Sequence, residues 1–376
     1  MPVVLVALLN TGLSSAITYN VTDLNTLPGD ASSIAYGIND NGQIVGKSGA
    51  FENGNFIGRA FLYQAGSMLQ LSGPNSAANG INNDGDVAGA VGPSASLYSG
   101  GIMQNIGALL PPSPIYQSSI ATAVNAGDQV VGYRTYMQGE GFVQDAFLYS
   151  AGTAVEFHSL GLPNGSVAYG INTAGNVVGT GSSDTYFNHA FLYDGTSVHD
   201  LGTLGGPTST AYGINDNGDV VGSADQHEIF GTNQPGAFLY SGGAMHYLGS
   251  LGVFPDPMLP LPSEALAINN SGEIVGDAFV ISDVGMHDEV IHAFVYAGGT
   301  MTDLNTLIDP NSGWVLEKAT ALNDLGQIVG YGMLANGQTH AFLLTPVPEP
   351  ATLILAVLGV SITCVRHARK RDLSIV

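Results

Sequence analysis

Residues 211–223 read AYGINDNGDVVGS, in which Asn215, Asp216, Asn217, Gly218 and Asp219 precede a short apolar run ending at Gly222. Oxygen-bearing side chains this close together look like a calcium loop, which keeps its carboxylates at fixed alternate positions. The stretch recurs seven times, as INDNGQIVG, INNDGDVAG, VNAGDQVVG, INTAGNVVG, INDNGDVVG, INNSGEIVG and LNDLGQIVG. The residue after the asparagine is Asp, Asn, Ala, Thr, Asp, Asn and Asp in turn, so the would-be ligands are not kept. What persists is the asparagine and a glycine three residues later, replaced once by Asp128. That is hairpin chemistry: Asn folds its side chain onto a turn and Gly accepts positive φ before the next strand. On this reading Gly218 makes the turn, while Asp216 and Asp219 only decorate it.

The last glycines of the copies, Gly46, Gly89, Gly132, Gly179, Gly222, Gly276 and Gly330, are 43 to 54 residues apart. A four-stranded propeller blade takes ~40–50 residues. The fifth unit shows four short candidates, TAYGIN (210–215), DVVGSA (219–224), GAFLY (236–240) and MHYLGSL (245–251), each bounded by turn residues. Short runs rich in Val, Ile, Tyr and Phe are strands, and no stretch of the body holds a 3.6-residue period, so the class is all-β. The fourth strand is missing after the last third strand, HAFLL (340–344), while YNVTDLNTL (19–27) precedes the first unit and closely matches TMTDLNTL (300–307). The pattern predicts a seven-bladed β-propeller over residues 17–346 whose ring is closed by residues 19–27 completing the last blade. An open β-solenoid or two stacked sheets would leave that offset unexplained.

The third strand recurs as RAFLY, SASLY, DAFLY, HAFLY, GAFLY, HAFVY and HAFLL. Here the sequence resembles the HAF-repeat extracellular proteins, with His189, His292 and His340 opening literal copies of the tripeptide. The resemblance implies an extracellular address more than a mechanism. Other blades carry Arg59, Ser94, Asp145 and Gly236 at that position, so the histidines read as the first residues of strands and not as a metal ring.

Composition points the same way. Lys and Arg total 8 against 30 Asp and Glu, and Arg366, Arg369, Lys370 and Arg371 sit at the far end, which leaves the body strongly acidic. Such a body repels phosphate backbones, which argues against a nucleic-acid partner. Cys364 is the single cysteine, so no disulfide forms within the chain.

Both ends read as targeting segments. PVVLVALL (2–9) followed by Ser14-Ser15-Ala16 resembles a secretory signal peptide over residues 1–16. Its basic n-region is missing, which fits a start further upstream; a buried N-terminal strand is the alternative. Residues 347–376 contain Pro348-Glu349-Pro350, an uncharged apolar segment 351–365 and the basic cluster 366–371. This order resembles the PEP-CTERM sorting signal of Gram-negative bacteria, as against a simple single-span anchor. The resemblance implies recognition by an exosortase, a transient transmembrane stage through 351–365 with the basic tail on the cytoplasmic side, and delivery to the cell surface or beyond.

Loop lengths give a functional map. Turns between strands one and two and between three and four are constant, whereas connections from two to three and from four to the next blade vary, which places all variable loops on one face. Binding residues are usually carried by such loops. Three are proline-rich and carry Tyr116, Phe254 and Trp314, rings able to stack on a sugar or simply to cover strand edges. Two more are acidic with histidine, Asp225-Gln226-His227-Glu228 and the group Asp283, His287, Asp288 and Glu289, candidates for a divalent ion or for acid–base chemistry, although no zinc spacing is matched. No nucleophile elbow, Walker loop, Rossmann fingerprint or Cys/His metal set is present, and no cofactor is expected. The expectation is a non-catalytic exported propeller that binds extracellular polysaccharide, biofilm matrix or surface proteins. The alternative is a secreted glycan hydrolase or lyase with carboxylates on the variable face.

Overall fold

The computed structural model describes residues 18–52, 55–110, 117–139, 141–182, 187–226, 234–252, 261–281 and 289–348. These form seven four-stranded antiparallel sheets, each built from consecutive strands except the last. That sheet runs Tyr19–Asp23, Thr339–Pro346, Ile328–Leu334, Trp314–Leu322, with Val21 opposite Leu344 and Asp23 opposite Phe342. Main-chain bonds extend the closure beyond the strand, from Leu24 N to Ala341 O at 3.0 Å and from Val347 N to Thr18 O at 2.8 Å. Leu24 and Leu27 are buried beneath it. The protein is a seven-bladed β-propeller closed by its N-terminal strand, as the offset of the repeats predicts.

First strands of neighbouring blades touch one another around the axis. Buried apolar side chains fall into seven clusters, one per seam; the cluster between blades seven and one joins Val329 and Ala341 to Ala35, Ile44 and Phe61. The repeat's final glycine is fixed by this packing. A Cβ on Gly222 would lie 1.9 Å from the Thr210 carbonyl oxygen and 2.8 Å from the ring of Phe238, its cross-strand partner. Gly46, Gly179, Gly276 and Gly330 meet the same two obstacles. The phenylalanine of the third strand therefore needs a bare backbone opposite it. In blade two, Ser96 faces Gly89 instead, and a cavity of about 10 Å³ remains beside Tyr98 and Met103.

A second seam device lies outside the expectations from sequence. Buried serines accept hydrogen bonds from the alanine N–H of the preceding blade's third strand: Ser33 from Ala341, Ser76 from Ala60, Ser119 from Ala95, Ser166 from Ala146, Ser209 from Ala190 and Ser263 from Ala237, at 2.8–3.0 Å. They occur in S-x-A, two residues before the alanine of strand one. Each satisfies a donor that burial would otherwise orphan.

The helices among the described residues are three short 3₁₀ turns, and none is long and apolar enough to cross a membrane. The expected signal peptide (1–16), Glu349 and Pro350, the apolar segment 351–365 and the tail with Arg366, Arg369, Lys370 and Arg371 lie outside the described residues. Pro348 is the last described residue and is exposed.

Candidate functional site

In all seven blades the first strand is bulged just after its central alanine, at Ala35/Gly37, Ala78/Gly80, Ala121/Ala123, Ala168/Gly170, Ala211/Gly213, Ala265/Ala267 and Ala319/Ala321. A bulge re-aims the extra residue. Here it sends Tyr36, Asn79, Thr122, Tyr169, Tyr212, Leu266 and Thr320 to the wall of the axial channel. The following position is Gly or Ala because neighbouring strands come close at the axis; a Cβ on Gly80 would sit 2.9 Å from Thr122 O.

The channel mouth on the side of the constant turns is a cavity of about 260 Å³. It is built from the repeated asparagines. Asn39, Asn82, Asn125, Asn172, Asn215, Asn269 and Asn323 each donate from Nδ2 to the carbonyl of the next asparagine, and Asn323 closes the circle on Asn39, at 2.9–3.2 Å. Each Oδ1 also accepts from the backbone N–H four residues on, Asp219 N in the case of Asn215. The turn role expected of Asn holds, as does positive φ at Gly218 (+85°) and at Asp128 (+55°). The view of Asp216 and Asp219 as decoration does not hold. Asp219 accepts from Asn215 Nδ2, and the matching residue does so in six blades. Asp216 accepts from the N–H and hydroxyl of Thr173 in the preceding blade. Burial works to raise the Asp216 carboxyl, yet these bonds and Asn270 hold it below the usual carboxylate range.

Beyond the apolar residues that follow the bulge, such as Ile38 and Ile214, the channel opens toward the variable loops into a cavity of about 430 Å³. Its wall carries Tyr36, Tyr169, Tyr212 and Tyr331, with Ile34, Leu266 and Lys318. Tyr169 and Tyr212 meet edge to face at 5.2 Å. Burial, with Tyr331 nearby, pushes the Tyr36 phenol up to about 12; burial and then Glu264 do the same for Tyr212. Lys318 Nζ lies 2.9 Å from Asp277 Oδ1 and 3.4 Å from Glu264 Oε2. Burial works against this ammonium, but the two carboxylates outweigh it and hold its pKa above the ordinary lysine value.

Long hairpins of the same face present aromatic rings. Phe51 and Phe142 are 57% and 68% exposed, so they cover no core. Phe51 packs on Phe56 at 4.9 Å, Lys47 Nζ sits 5.6 Å over Phe56, and Arg134 lies 4.8 Å over Tyr136. These rings follow the lengthened connections from strand two to three, a signal that is present in the sequence beside the prolines and charges of the same face.

Among the expected site residues, Trp314 opens the last blade's first strand, is partly buried and packs edge to face on Phe342 at 6.1 Å. It therefore covers the core beneath it. Tyr116, Phe254, His227, Glu228, Asp283, His287 and Asp288 lie outside the described residues. Asp225 accepts from the Thr208 hydroxyl at 2.7 Å. His189 opens its third strand, but His340 is the second residue of Thr339–Pro346 and His292 the fourth of Glu289–Ala297, so the reading of all three as first residues of strands holds only for His189. Each meets a fourth-strand aspartate: Asp200 at 2.8 Å, Asp303 at 2.7 Å and Asp23 at 2.9 Å. In the other blades that aspartate is replaced by Gln70, Asn105, Glu156 and Tyr247, opposite the same aromatic or serine position. His and Asp therefore travel together as a clasp between strands.

Asp145, Glu156 and His158 are the group of described residues whose ligand atoms approach closely enough for a metal. Glu156, however, is gripped by both sides of the Arg134 guanidinium at 2.8 Å, and Asp145 Oδ2 meets His158 Nδ1 at 2.6 Å. A metal ion there would sit beside a fixed positive charge, so the group is an ion-pair network.

A family described as "Protein of unknown function (DUF3466)" matches residues 205–338. No curated protein matches the chain. The beta-propeller domain of the Trilobed protease from Pyrococcus furiosus, described as having an open velcro topology, is similar at 9% identity and a TM-score of 0.46, over 84% of this chain and 98% of that one. A putative oxidoreductase (glucose dehydrogenase) from Thermus thermophilus is similar at 10% identity and a TM-score of 0.34, over 87% of this chain and 99% of that one.

Proposed function

We propose that this chain is an exported, non-catalytic β-propeller that binds extracellular polysaccharide at the cell surface or in the biofilm matrix through its variable-loop face. The observation that carries the proposal is the coincidence on one face of a tyrosine-walled channel mouth and exposed aromatic hairpins at Phe51 and Phe142. Aromatic faces suit the C–H faces of a sugar, and the phenol hydroxyls suit its hydroxyl edges. The acidic body keeps the protein soluble and away from nucleic acid. Sorting by an exosortase at Pro348-Glu349-Pro350, after export directed by residues 1–16, delivers it outside. Intact-mass analysis of protein recovered from the medium tests that address: loss of the chain beyond this tripeptide is expected, and a full-length C-terminus in the medium overturns it.

Binding is tested by retention of the purified propeller on matrix polysaccharide. Loss of retention on combined Phe51→Ala and Phe142→Ala substitution is expected; unchanged retention removes the hairpins from the site. The hydrolase alternative needs two carboxyls about 5–10 Å apart with room for water or a leaving group between them. Glu264 and Asp277 are neighbours at the mouth, but the Lys318 ammonium occupies the space between them. Reducing ends released from the same polysaccharide would restore that alternative.

A further inference from the structure

The tyrosine mouth has a chemistry of its own. Asn79, Thr122 and Thr320 point their polar groups into carbonyls of the next blade, Ala121, Ala168 and Ala35, at 2.8–2.9 Å, and so are occupied by the ring itself. The phenols are placed differently. Tyr212 shares a hydrogen bond with Ser223, whereas the hydroxyls of Tyr36, Tyr169 and Tyr331 have no hydrogen-bond partner among the described residues. Polar groups in a half-buried cavity that lack protein partners are left to bond whatever enters. The charge is equally specific: one ammonium faces two carboxylates, in a body of strongly negative net charge, so an anion entering the mouth meets net repulsion. About 430 Å³ is within the ~300–1,000 Å³ of small-molecule sites, large enough for one or two rings and too small for a folded partner.

We infer that this mouth is a subsite for an uncharged pyranose, which lays its C–H face on the phenol rings, bonds their hydroxyls with its own, and excludes uronic acids. The inference rests on the polysaccharide reading above and narrows it to one place and one sugar class. Protons stay on the phenols throughout, so the step is binding alone.

The test uses the whole propeller and two sets of short probes: cellotetraose, maltotetraose and galactotetraose, which are neutral, and tetragalacturonate, which is not. Calorimetry should find at least one neutral tetrasaccharide bound and tetragalacturonate weaker by about tenfold or more. Tyr169→Ala and Tyr212→Ala should each weaken the neutral probe about tenfold, and Tyr169→Phe, which keeps the ring and its packing, about threefold. The inference is overturned by equal or tighter binding of tetragalacturonate, or by neutral binding that survives all three tyrosine variants. If the polymer is retained through Phe51 and Phe142 while no tetrasaccharide binds, the subsite falls and the polysaccharide reading stands. If neither polymer nor tetrasaccharide binds, both fall.

Discussion

The two mouths of the channel are made by a residue of the first strand and by the asparagine just past that strand's end, three positions apart in every blade, and they are opposites. At the constant-turn mouth the residue is asparagine seven times, and each side chain is bonded into a closed circle. At the loop-side mouth the equivalent residues are Tyr, Asn, Thr, Tyr, Tyr, Leu and Thr. The asparagine and threonines there still bond the next blade, whereas the tyrosines are too long to do so and face the cavity. Uniformity around the axis marks side chains consumed by the ring; variation marks side chains released from it. A repeated residue in a propeller is therefore first a structural bond, and its exceptions are where a ligand finds free groups.

That contrast breaks most drastically if the circle itself opens. Removing residues 18–27 takes away the closing strand with buried Leu24 and Leu27, and is expected to abolish cooperative thermal unfolding followed by circular dichroism. Next comes Asn215→Ala, which orphans the Asn217 and Asp219 N–H groups and the Asn269 carbonyl inside the seam. Chemical denaturation should show a loss of about 3 kcal/mol with tetrasaccharide affinity unchanged. A smaller effect belongs to the clasps. Burial works to raise Asp303, but His292 and the Asn305 N–H hold it below the usual carboxylate range. Its folded pKa is thus lower than its unfolded one, so its contribution is present above about pH 4 and is lost as pH falls further. Asp303→Asn should cost about 1 kcal/mol at neutral pH and flatten that acid limb. Smallest at neutral pH is Tyr212→Phe, with about 0.5 kcal/mol or less lost. Tyr36 and Tyr212 are raised to about 12, so their contribution is full below pH ~10 and declines above it. Absorbance at 295 nm should show late-titrating phenols that Tyr36→Phe and Tyr212→Phe remove one by one.

Much of the architecture was legible because it is local or repeated. The Asn and Gly of each hairpin, the alternation in AFLY and the duplicate of TDLNTL at residues 19–27 each sit within a few residues of chain. The clasps were half legible: the histidines stand out in the repeat, but their aspartates lie eleven residues on across a hairpin, and for His340 the partner Asp23 is at the other end of the chain. The serines were silent since S-x-A carries no local turn or strand meaning. Its use is to bond a different blade. Trp314 had the right chemistry for a ligand, but its position over Phe342 turns it toward the core.

By itself the sequence determined seven blades, four strands in each, closure by the N-terminal strand and a division into constant and variable faces. Hydrophobic period, turn residues and repeat spacing act over short stretches of chain, and each blade restates them. Only the tertiary structure decided which side chains meet at the axis. Residues such as Tyr36, Tyr212 and Lys318 lie in different blades, and a one-residue bulge in every first strand determines whether they face the channel or the sheet. Side-chain direction in a strand has a period of two, so that single bulge, silent in composition, changes which residues reach the site.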